Sequence, residues 1–242
     1  MIQSNSQIVN CACVIHGDAY NWTYVERLQS MLTKNFSIPI QLHVFTEESR
    51  TVPNSMIRHN LIPWPGIAGP KKAWWYKIQM FDPQNYSGQL LYFDLDVVIT
   101  GNLDWILTLH SHYFWSIRDF KYLWRPTWQG INSSVMYWDT ARYSSLWNKF
   151  NQETLTSVTK KYKGDQDFLT EHIQDLEKKF FDQDAVQSWR WQAWNGGYDI
   201  KTRSYRRPGA GTAVPPSTKI LVFHGNPKPH EITDPVVASY WK

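Results

Sequence analysis

The chain has 242 residues, of which 42% are hydrophobic and 16% aromatic, with 14 Trp and 13 Tyr. That content is sufficient for the core of one α/β domain, and no apolar run is long enough to cross a membrane. The formal net charge of +4 is modest and the basic residues are scattered, so no nucleic acid partner is expected. The first residues do not form a secretory signal, and a cytoplasmic protein is the default expectation.

The N-terminal part has the strand, loop, helix, strand order of a parallel βαβ unit. Residues 7–16 are apolar and β-branched, and Gly17 and Asp18 interrupt that strand. From residue 20 to 34 the apolar positions recur at intervals of three and four, which is typical of an amphipathic helix, and a second strand is predicted at 40–45. This order predicts an α/β fold whose parallel sheet binds a nucleotide beyond its strand ends.

The remaining elements follow a loop rich in Pro and Gly. We predict a helix over 73–81, a buried strand over 89–99, a strand over 133–138, a helix over 165–173 and a strand over 219–223. Residues 203–217 are rich in Gly, Pro, Arg and Ser and are predicted to form a mobile loop. Cys11 and Cys13 lie two apart in the first strand without disulfide geometry, so both are predicted to be reduced core residues.

The strongest local signal is Leu-Leu-Tyr-Phe-Asp-Leu-Asp-Val at residues 90–97, where an apolar strand carries two carboxylates. In a regular strand Asp94 and Asp96 would face the same way, so both would bind one hard divalent cation that bridges to phosphate. Asp-X-Asp triplets are common, so the motif alone is not specific for a metal. Alternatively, these acids cap a helix or form an ion pair with Arg118.

A second signal follows the last predicted strand, in the sequence Phe-His-Gly-Asn-Pro-Lys-Pro at residues 223–229. His224 would supply a third metal ligand through a neutral nitrogen, Gly225 would let backbone approach a phosphate, and Lys228 would neutralise a diphosphate. The alternative is a strand-end histidine beside a solvated lysine.

Four stretches occur in a recognisable order: residues 13–18, the Trp-Tyr-Lys of 75–77 before 93–96, residues 130–135 with 164–167, and 223–225. In these the chain resembles glycosyltransferases of the GT-A fold, particularly the retaining group that includes glycogenin and the bacterial lipopolysaccharide galactosyltransferases. That group has longer spacing from its histidine to the following glycine and lysine. The shorter spacing here leaves the anomeric outcome and the role of the lysine open.

The resemblance implies a single GT-A-like domain over residues 1–242, with a mostly parallel central sheet flanked by helices. A Rossmann-like nucleotide-binding half would span about 7–100, and an acceptor and sugar half with the metal-ligand loop about 101–242. The implied activity is that of a metal-dependent, hexosyltransferase-like enzyme. It would move a sugar from a UDP-linked donor to an acceptor hydroxyl with retention of configuration.

The site residues divide into three groups under this resemblance. Mn²⁺ or Mg²⁺ would be bound by Asp94, Asp96 and His224, and the transferred sugar would face Asn132, Asp165 and Gln166. The nucleotide and its phosphates would contact His16, Asp18, Tyr20, Thr46, Lys77, Leu95, Gly225 and Lys228. From residue chemistry alone, Asp165 and Asp167 also suit the start of a helix, and a carboxylate there would be the base if the enzyme inverts.

The expected partners are a nucleotide-sugar donor and a glycan, lipid-linked or protein acceptor, with peripheral contact at the inner membrane face as one option. Two other functions remain open. A sugar nucleotidyltransferase would carry a glycine-rich basic loop after its first strand, where this chain has Gly17-Asp18-Ala19. A non-catalytic carbohydrate- or nucleic-acid-binding domain would use the tryptophans and arginines, and it would bind without a metal.

Overall fold

The computed structural model describes residues 8–67, 72–152, 155–194, 198–199, 202, 204–205 and 211–242. Its strands are β1 (Val9–Ile15), β2 (Ile40–Thr46), β3 (Ile57–Asn60), β4 (Gln89–Phe93), β5 (Val97–Ile99), β6 (Phe114–Arg118), β7 (Ile131–Asp139), β8 (Lys178–Phe180), β9 (Val186–Ser188), β10 (Tyr198–Asp199), β11 (Ser204–Tyr205) and β12 (Ile220–Val222). The α-helices are α1 (Thr23–Asn35), α2 (Thr140–Tyr143), α3 (Ser145–Gln152), α4 (Leu155–Lys161), α5 (Asp165–His172) and α6 (Pro235–Tyr240). Short 3₁₀ helices cover Ala73–Phe81, Asp104–Thr108, Phe120–Leu123 and Pro229–Glu231, and a π-helical turn covers Trp189–Ala193.

The centre of the fold is a seven-stranded sheet in the order β3-β2-β1-β4-β7-β6-β8. Strands β1 to β4 run parallel, β7 runs antiparallel to both of its neighbours, and β8 is parallel to β6. A second sheet, β5-β12-β9, lies beside it. The predicted mixed α/β fold with a mostly parallel central sheet flanked by helices is confirmed.

Alternate residues of β1 contribute to two different cores, as a strand buried on both faces requires. Cys11 and Cys13 pack in the cluster that includes α1, and both thiols are free and fully buried. Ala12 packs in the other cluster, which includes Trp75 of the Ala73–Phe81 helix. The prediction of reduced core cysteines is confirmed, and burial raises the pKa of both thiols.

The single strand predicted over 89–99 is wrong, because the chain leaves one sheet and enters another in the middle of it. β4 pairs with β7 in the central sheet, whereas β5 pairs with β12 in the second sheet. Asp94 and Asp96 lie in the turn between the two strands. The Asp94 N–H donates to the Ser134 carbonyl at 2.7 Å, so backbone hydrogen bonding to β7 holds the first residue of this turn. The same-face argument for a regular strand therefore does not apply to these carboxylates.

Other predicted elements differ in detail. The helix predicted over 73–81 is a 3₁₀ helix, and the strand predicted over 133–138 extends to Ile131–Asp139. Of the loop predicted over 203–217, Ser204–Tyr205 pairs with Tyr198–Asp199, whereas residues 203 and 206–210 lie outside the described residues. None of the helices in the described ranges combines the length and the apolar composition that crossing a bilayer requires.

Two histidines form a polar cluster within the parallel part of the sheet. His43 Nδ1 lies 2.9 Å from His59 Nε2, and His43 Nε2 lies 3.1 Å from Asn10 Oδ1. Burial, and then the facing His59, lowers the pKa of His43 to about 4, and burial lowers the pKa of His59 as well. Both imidazoles are therefore neutral at pH 7.

Acidification should destabilise the fold through this pair. The folded-state pKa of His43 lies below its ordinary value of 6.5, so its stabilisation is complete above that pH and is lost as the pH falls toward about 4. Between pH 7 and pH 5, the unfolding free energy of the wild type should fall by roughly 1–2 kcal/mol more than that of His43→Gln, as measured by urea denaturation. The exposed His110→Gln should keep the wild-type pH dependence, and equal pH dependence in both variants would contradict this assignment.

Candidate active site

A cavity of about 550 Å³ opens at the carboxyl ends of β1 and β4. Its walls come from the loop after β1, the Ala73–Phe81 helix, the turn between β4 and β5, the first residues of β7 and α5, and the segment after β12. Carboxyl ends of parallel strands are where α/β sheets place their ligands. The cavity contains every predicted site residue except Asp18 and Thr46.

Those two residues lie apart from the cavity wall. The Asp18 side chain is exposed in the turn after β1. Thr46 is fully buried at the end of β2, and its hydroxyl donates to Glu47 Oε2 at 3.0 Å. Neither side chain is placed to meet a ligand in this cavity as it stands, and their nucleotide roles stay predictions.

The Asp94 carboxylate is held through one of its oxygens. Oδ1 accepts a hydrogen bond from the Tyr92 hydroxyl at 2.6 Å and pairs with the Lys77 ammonium at 2.8 Å. Burial, and then the Asp94 charge, raises the pKa of Tyr92, so the phenol stays a donor. Lys77 reaches this position from the Ala73–Phe81 helix.

The Asp96 carboxylate is held in the same manner by a different lysine and tyrosine. Oδ2 pairs with the Lys228 ammonium and accepts from the Tyr20 hydroxyl at 2.9 Å. Burial raises the pKa of Asp96, and the opposing effect of Lys228 offsets this only in part. The Lys228 ammonium therefore favours the ionised form of Asp96. Arg118, an alternative partner for these acids, instead donates to the Trp128 and Pro126 carbonyls.

A third carboxylate, Asp165, lies beneath these two at the first residue of α5. Its Oδ2 accepts from the Ser133 hydroxyl at 2.5 Å and lies 3.7 Å from Lys77 Nζ. Burial raises the pKa of Asp165, and the opposing effect of the Lys77 charge offsets this only in part. Burial alone would lower the pKa of Lys77, but the charges of Asp165 and Asp94 outweigh this effect and raise the pKa. Lys77 thus joins two carboxylates.

The first residues of β7 enter the cavity because the strand bulges there. Ser116 pairs with Met136 and the next residue, Ile117, pairs with Asn132, so the intervening residues 133–135 have no partner on β6. A bulge breaks the alternation of side chains between the two faces of a sheet and re-aims them. Asn132 and the two serines that follow it all line the cavity as a result.

His224 lines the cavity as a neutral imidazole. Burial, then Arg190 and Lys228, lowers its pKa to about 3. The ring stacks on Phe120 at a centroid distance of 5.3 Å, and Nε2 lies 2.7 Å from Ser188 Oγ. The next residue, Gly225, has a φ of +75°, and a Cβ there would lie 3.2 Å from the Arg190 guanidinium. The positive φ strains any residue with a Cβ, so the backbone here favours glycine.

The ligand types in the cavity fit a hard divalent cation, although the arrangement pairs them with lysines. The contacts of Asp94 involve Oδ1 and those of Asp96 involve Oδ2, which leaves the other oxygen of each carboxylate to a cation. The neutral ring of His224 faces the same cavity. Within the described ranges, no three His, Cys, Asp or Glu side chains already lie close enough together to form a metal site.

Several residues of the wall, including Tyr92, Lys121 and Lys163, had no role assigned from the sequence. Trp74 also lines the cavity, against Gly164. A Cβ on Gly164 would lie 3.1 Å from Trp74 Nε1, so glycine leaves room for the indole. The one signal that would have indicated Ser133 is the polar run Asn-Ser-Ser at 132–134 in an otherwise apolar strand.

No protein-family model and no curated protein matches the sequence. Similar solved structures include the galactosyltransferase LgtC in complex with donor and acceptor sugar analogs (TM-score 0.63, 13% identity, 96% of this chain and 94% of that one). Others are the glycosyltransferase GlyE of Streptococcus pneumoniae (0.64, 14%, 96% and 60%) and mouse xyloside xylosyltransferase 1 (0.54, 14%, 90% and 98%). The chain therefore has the GT-A glycosyltransferase fold, as its sequence resemblance predicted.

Removing the Lys77 ammonium should strongly destabilise the chain. Lys77→Met leaves the Asp94 and Asp165 carboxylates without their shared cation, and we expect a loss of about 3–5 kcal/mol in unfolding free energy at pH 7. The loss should shrink at lower pH, because the unpaired carboxylates take up protons. Lys161→Met removes the half-exposed Lys161–Glu171 pair and should change stability little. Equal stability of the two variants in urea denaturation would refute a buried charge centre at Lys77.

Proposed function

We propose that the chain is a metal-dependent glycosyltransferase that moves a sugar from a UDP-linked donor to an acceptor hydroxyl. The observation that carries this proposal is one cavity, in a GT-A fold, that contains Asp94, Asp96 and His224 together with Lys77 and Lys228. Acidic ligands suit a divalent cation and the lysines suit a diphosphate. Both sets of groups lie where the fold places ligands.

The nucleoside is proposed to bind where β1 ends. His16 lines the cavity there and stacks on Tyr76 at a centroid distance of 4.0 Å. Its Nδ1 is buried without a hydrogen-bond partner among the described residues. Burial lowers the pKa of His16, so the ring is neutral at pH 7. A neutral ring and an unused nitrogen suit contact with a base, and residues of about 7–100 would form this half of the site.

Asp94, Asp96 and His224 are proposed to hold Mn²⁺ or Mg²⁺. When bound, the cation would stabilise negative charge on the departing diphosphate. The Ser188 contact occupies Nε2 of His224 and leaves Nδ1 as the candidate ligand, in keeping with metal-binding histidines whose second nitrogen is fixed by a hydrogen bond. Lys228 would leave Asp96 for the diphosphate and neutralise it.

Asn132, Asp165 and Gln166 are proposed to orient the transferred sugar. Gln166 Oε1 accepts from the Ser133 N–H at 3.1 Å, which leaves its NH₂ group for sugar hydroxyls. The Asp165 contacts involve Oδ2, which leaves Oδ1 for a hydroxyl. Because the Ser133 hydrogen bond and the Lys77 charge already hold Asp165, we assign it to sugar binding rather than to proton abstraction, and we expect transfer with retention.

The acceptor would approach over the rim formed by residues 119–130, in the half of the chain from about 101 to 242. Trp124 is 39% exposed there and packs on Trp191 at 4.9 Å, which in turn packs on His224 at 4.2 Å. Exposed indole rings suit contact with sugar rings. We propose that the acceptor is a glycan, a lipid-linked molecule or a protein. The enzyme would reach it by peripheral contact at the cytoplasmic face of the inner membrane.

Titration of UDP with and without Mn²⁺ tests the donor site directly. Calorimetry should show manganese-dependent binding to the wild type, weakened at least ~10-fold in both Asp96→Asn and His224→Ala, because a bound cation is worth several kcal/mol to an anion. The exposed Asp175→Asn should bind as the wild type does. Metal-independent or absent binding of UDP would refute the proposal. If UDP binds with Mn²⁺, a hydrolysis panel of UDP-sugars would identify the sugar.

Replacing Lys228 should move two affinities in opposite directions. Without its ammonium, Asp96 has no competing charge, so Lys228→Met should bind Mn²⁺ alone roughly 5-fold more tightly than the wild type, while UDP with saturating Mn²⁺ binds more weakly. Paramagnetic resonance of free Mn²⁺ gives the first affinity and calorimetry the second. Weaker Mn²⁺ binding in the variant would show that Lys228 does not compete for Asp96.

A further inference from the structure

We infer that Ser133 is a positioning residue, which orients the Asp165 carboxylate and the Gln166 amide toward the transferred sugar. The inference rests on the proposed function. Ser133 is buried, with 1% of its surface exposed, and it is joined to groups on two other elements through both its side chain and its backbone. Those elements are the Ala73–Phe81 helix and α5.

The Ser133 hydroxyl has a defined direction in this network. Lys77 Nζ donates to Ser133 Oγ at 3.2 Å, and Ser133 Oγ donates to Asp165 Oδ2 at 2.5 Å. An ammonium has no lone pair and a carboxylate has no proton, so the hydroxyl must accept from one and donate to the other. Ser133 therefore completes a chain from Lys77 to Asp165, whose direct separation of 3.7 Å is too long for a hydrogen bond.

The backbone of Ser133 holds the neighbouring residue of α5. Its N–H donates to Gln166 Oε1 at 3.1 Å. In a regular strand this N–H would be committed to the ladder or to solvent, but the bulge at residues 133–135 leaves it without a partner on β6. One residue thus fixes both of the side chains of α5 that are proposed to contact the sugar.

Loss of the hydroxyl would affect the sugar end of the cavity more than the nucleotide end. Asp165 would lose its shortest hydrogen bond and the restraint on its rotation, and Lys77 would keep Asp94 at 2.8 Å. Groups near the phosphates would stay in place. Misplacement of a positioning group by about 1 Å is sufficient to slow a reaction ~100-fold.

Ser116 provides a matched control. It is also a buried serine in the central sheet, on the adjacent strand β6, with no exposed surface. Its hydroxyl has no hydrogen-bond partner among the described residues, and it does not line the cavity. Ser116→Ala therefore removes the same atom from the same kind of environment without touching the network.

The test compares Ser133→Ala, Ser133→Thr and Ser116→Ala with the wild type, in UDP affinity with Mn²⁺ and in turnover of the UDP-sugar that the wild type hydrolyses. We expect Ser133→Ala to bind UDP as the wild type does and to lose about 10- to 100-fold in kcat. Ser133→Thr, which restores a hydroxyl, should recover most of that loss, and Ser116→Ala should be unchanged.

Three results would overturn the inference while the proposed function stands. They are an unchanged kcat in Ser133→Ala, a parallel loss of UDP affinity and kcat, and an equal loss in Ser116→Ala. Failure of the wild type to bind UDP with Mn²⁺ or to hydrolyse any UDP-sugar is a different result, because it refutes the proposed function first and the role of Ser133 with it.

Discussion

The burial of three carboxylates in one cavity is the constraint on which the rest of this structure depends. Asp96 and Asp165 are almost fully buried, and Asp94 lies beside them. Taking such charges out of water costs several kcal/mol each unless cations and hydrogen bonds accompany them. Lys77 and Lys228 supply those cations, so the Ala73–Phe81 helix and the segment after β12 must dock together at the same sheet edge.

That requirement explains why the chain changes sheets where it does. The turn between β4 and β5 carries the acids to the junction of the two sheets, and β12 pairs with β5 to bring His224 and Lys228 to the same place. The C-terminal segment is held there by packing on α1. The Tyr24 hydroxyl contacts His230, and the Arg27 guanidinium lies 3.8 Å from the centroid of Trp241. Residues far apart in sequence therefore share one electrostatic centre.

The sequence predicted the parts of this centre that local patterns encode. The βαβ order predicted the parallel sheet, and the Asp-X-Asp and His-Gly stretches predicted residues that do line one cavity. The break at Asp94–Asp96 was not predictable, because a nearly continuous apolar run does not show that its halves pair with different strands. The bulge that re-aims Ser133 was missed for the same reason, since it depends on the partner strand β6. Lys77 was indicated only by family resemblance.

The charge balance connects this architecture to the proposed chemistry. Four carboxylates and four lysines line the cavity, so their formal charges balance. The two lysines beside the buried acids, Lys77 and Lys228, are both paired with them. A diphosphate that entered alone would be repelled by the acids and would find no unpaired lysine among these two. In the proposed function, a divalent cation on Asp94 and Asp96 would reverse both conditions, because it would neutralise the acids and release Lys228 toward the phosphates. Cation and donor would therefore bind as a pair, and neither would bind well alone.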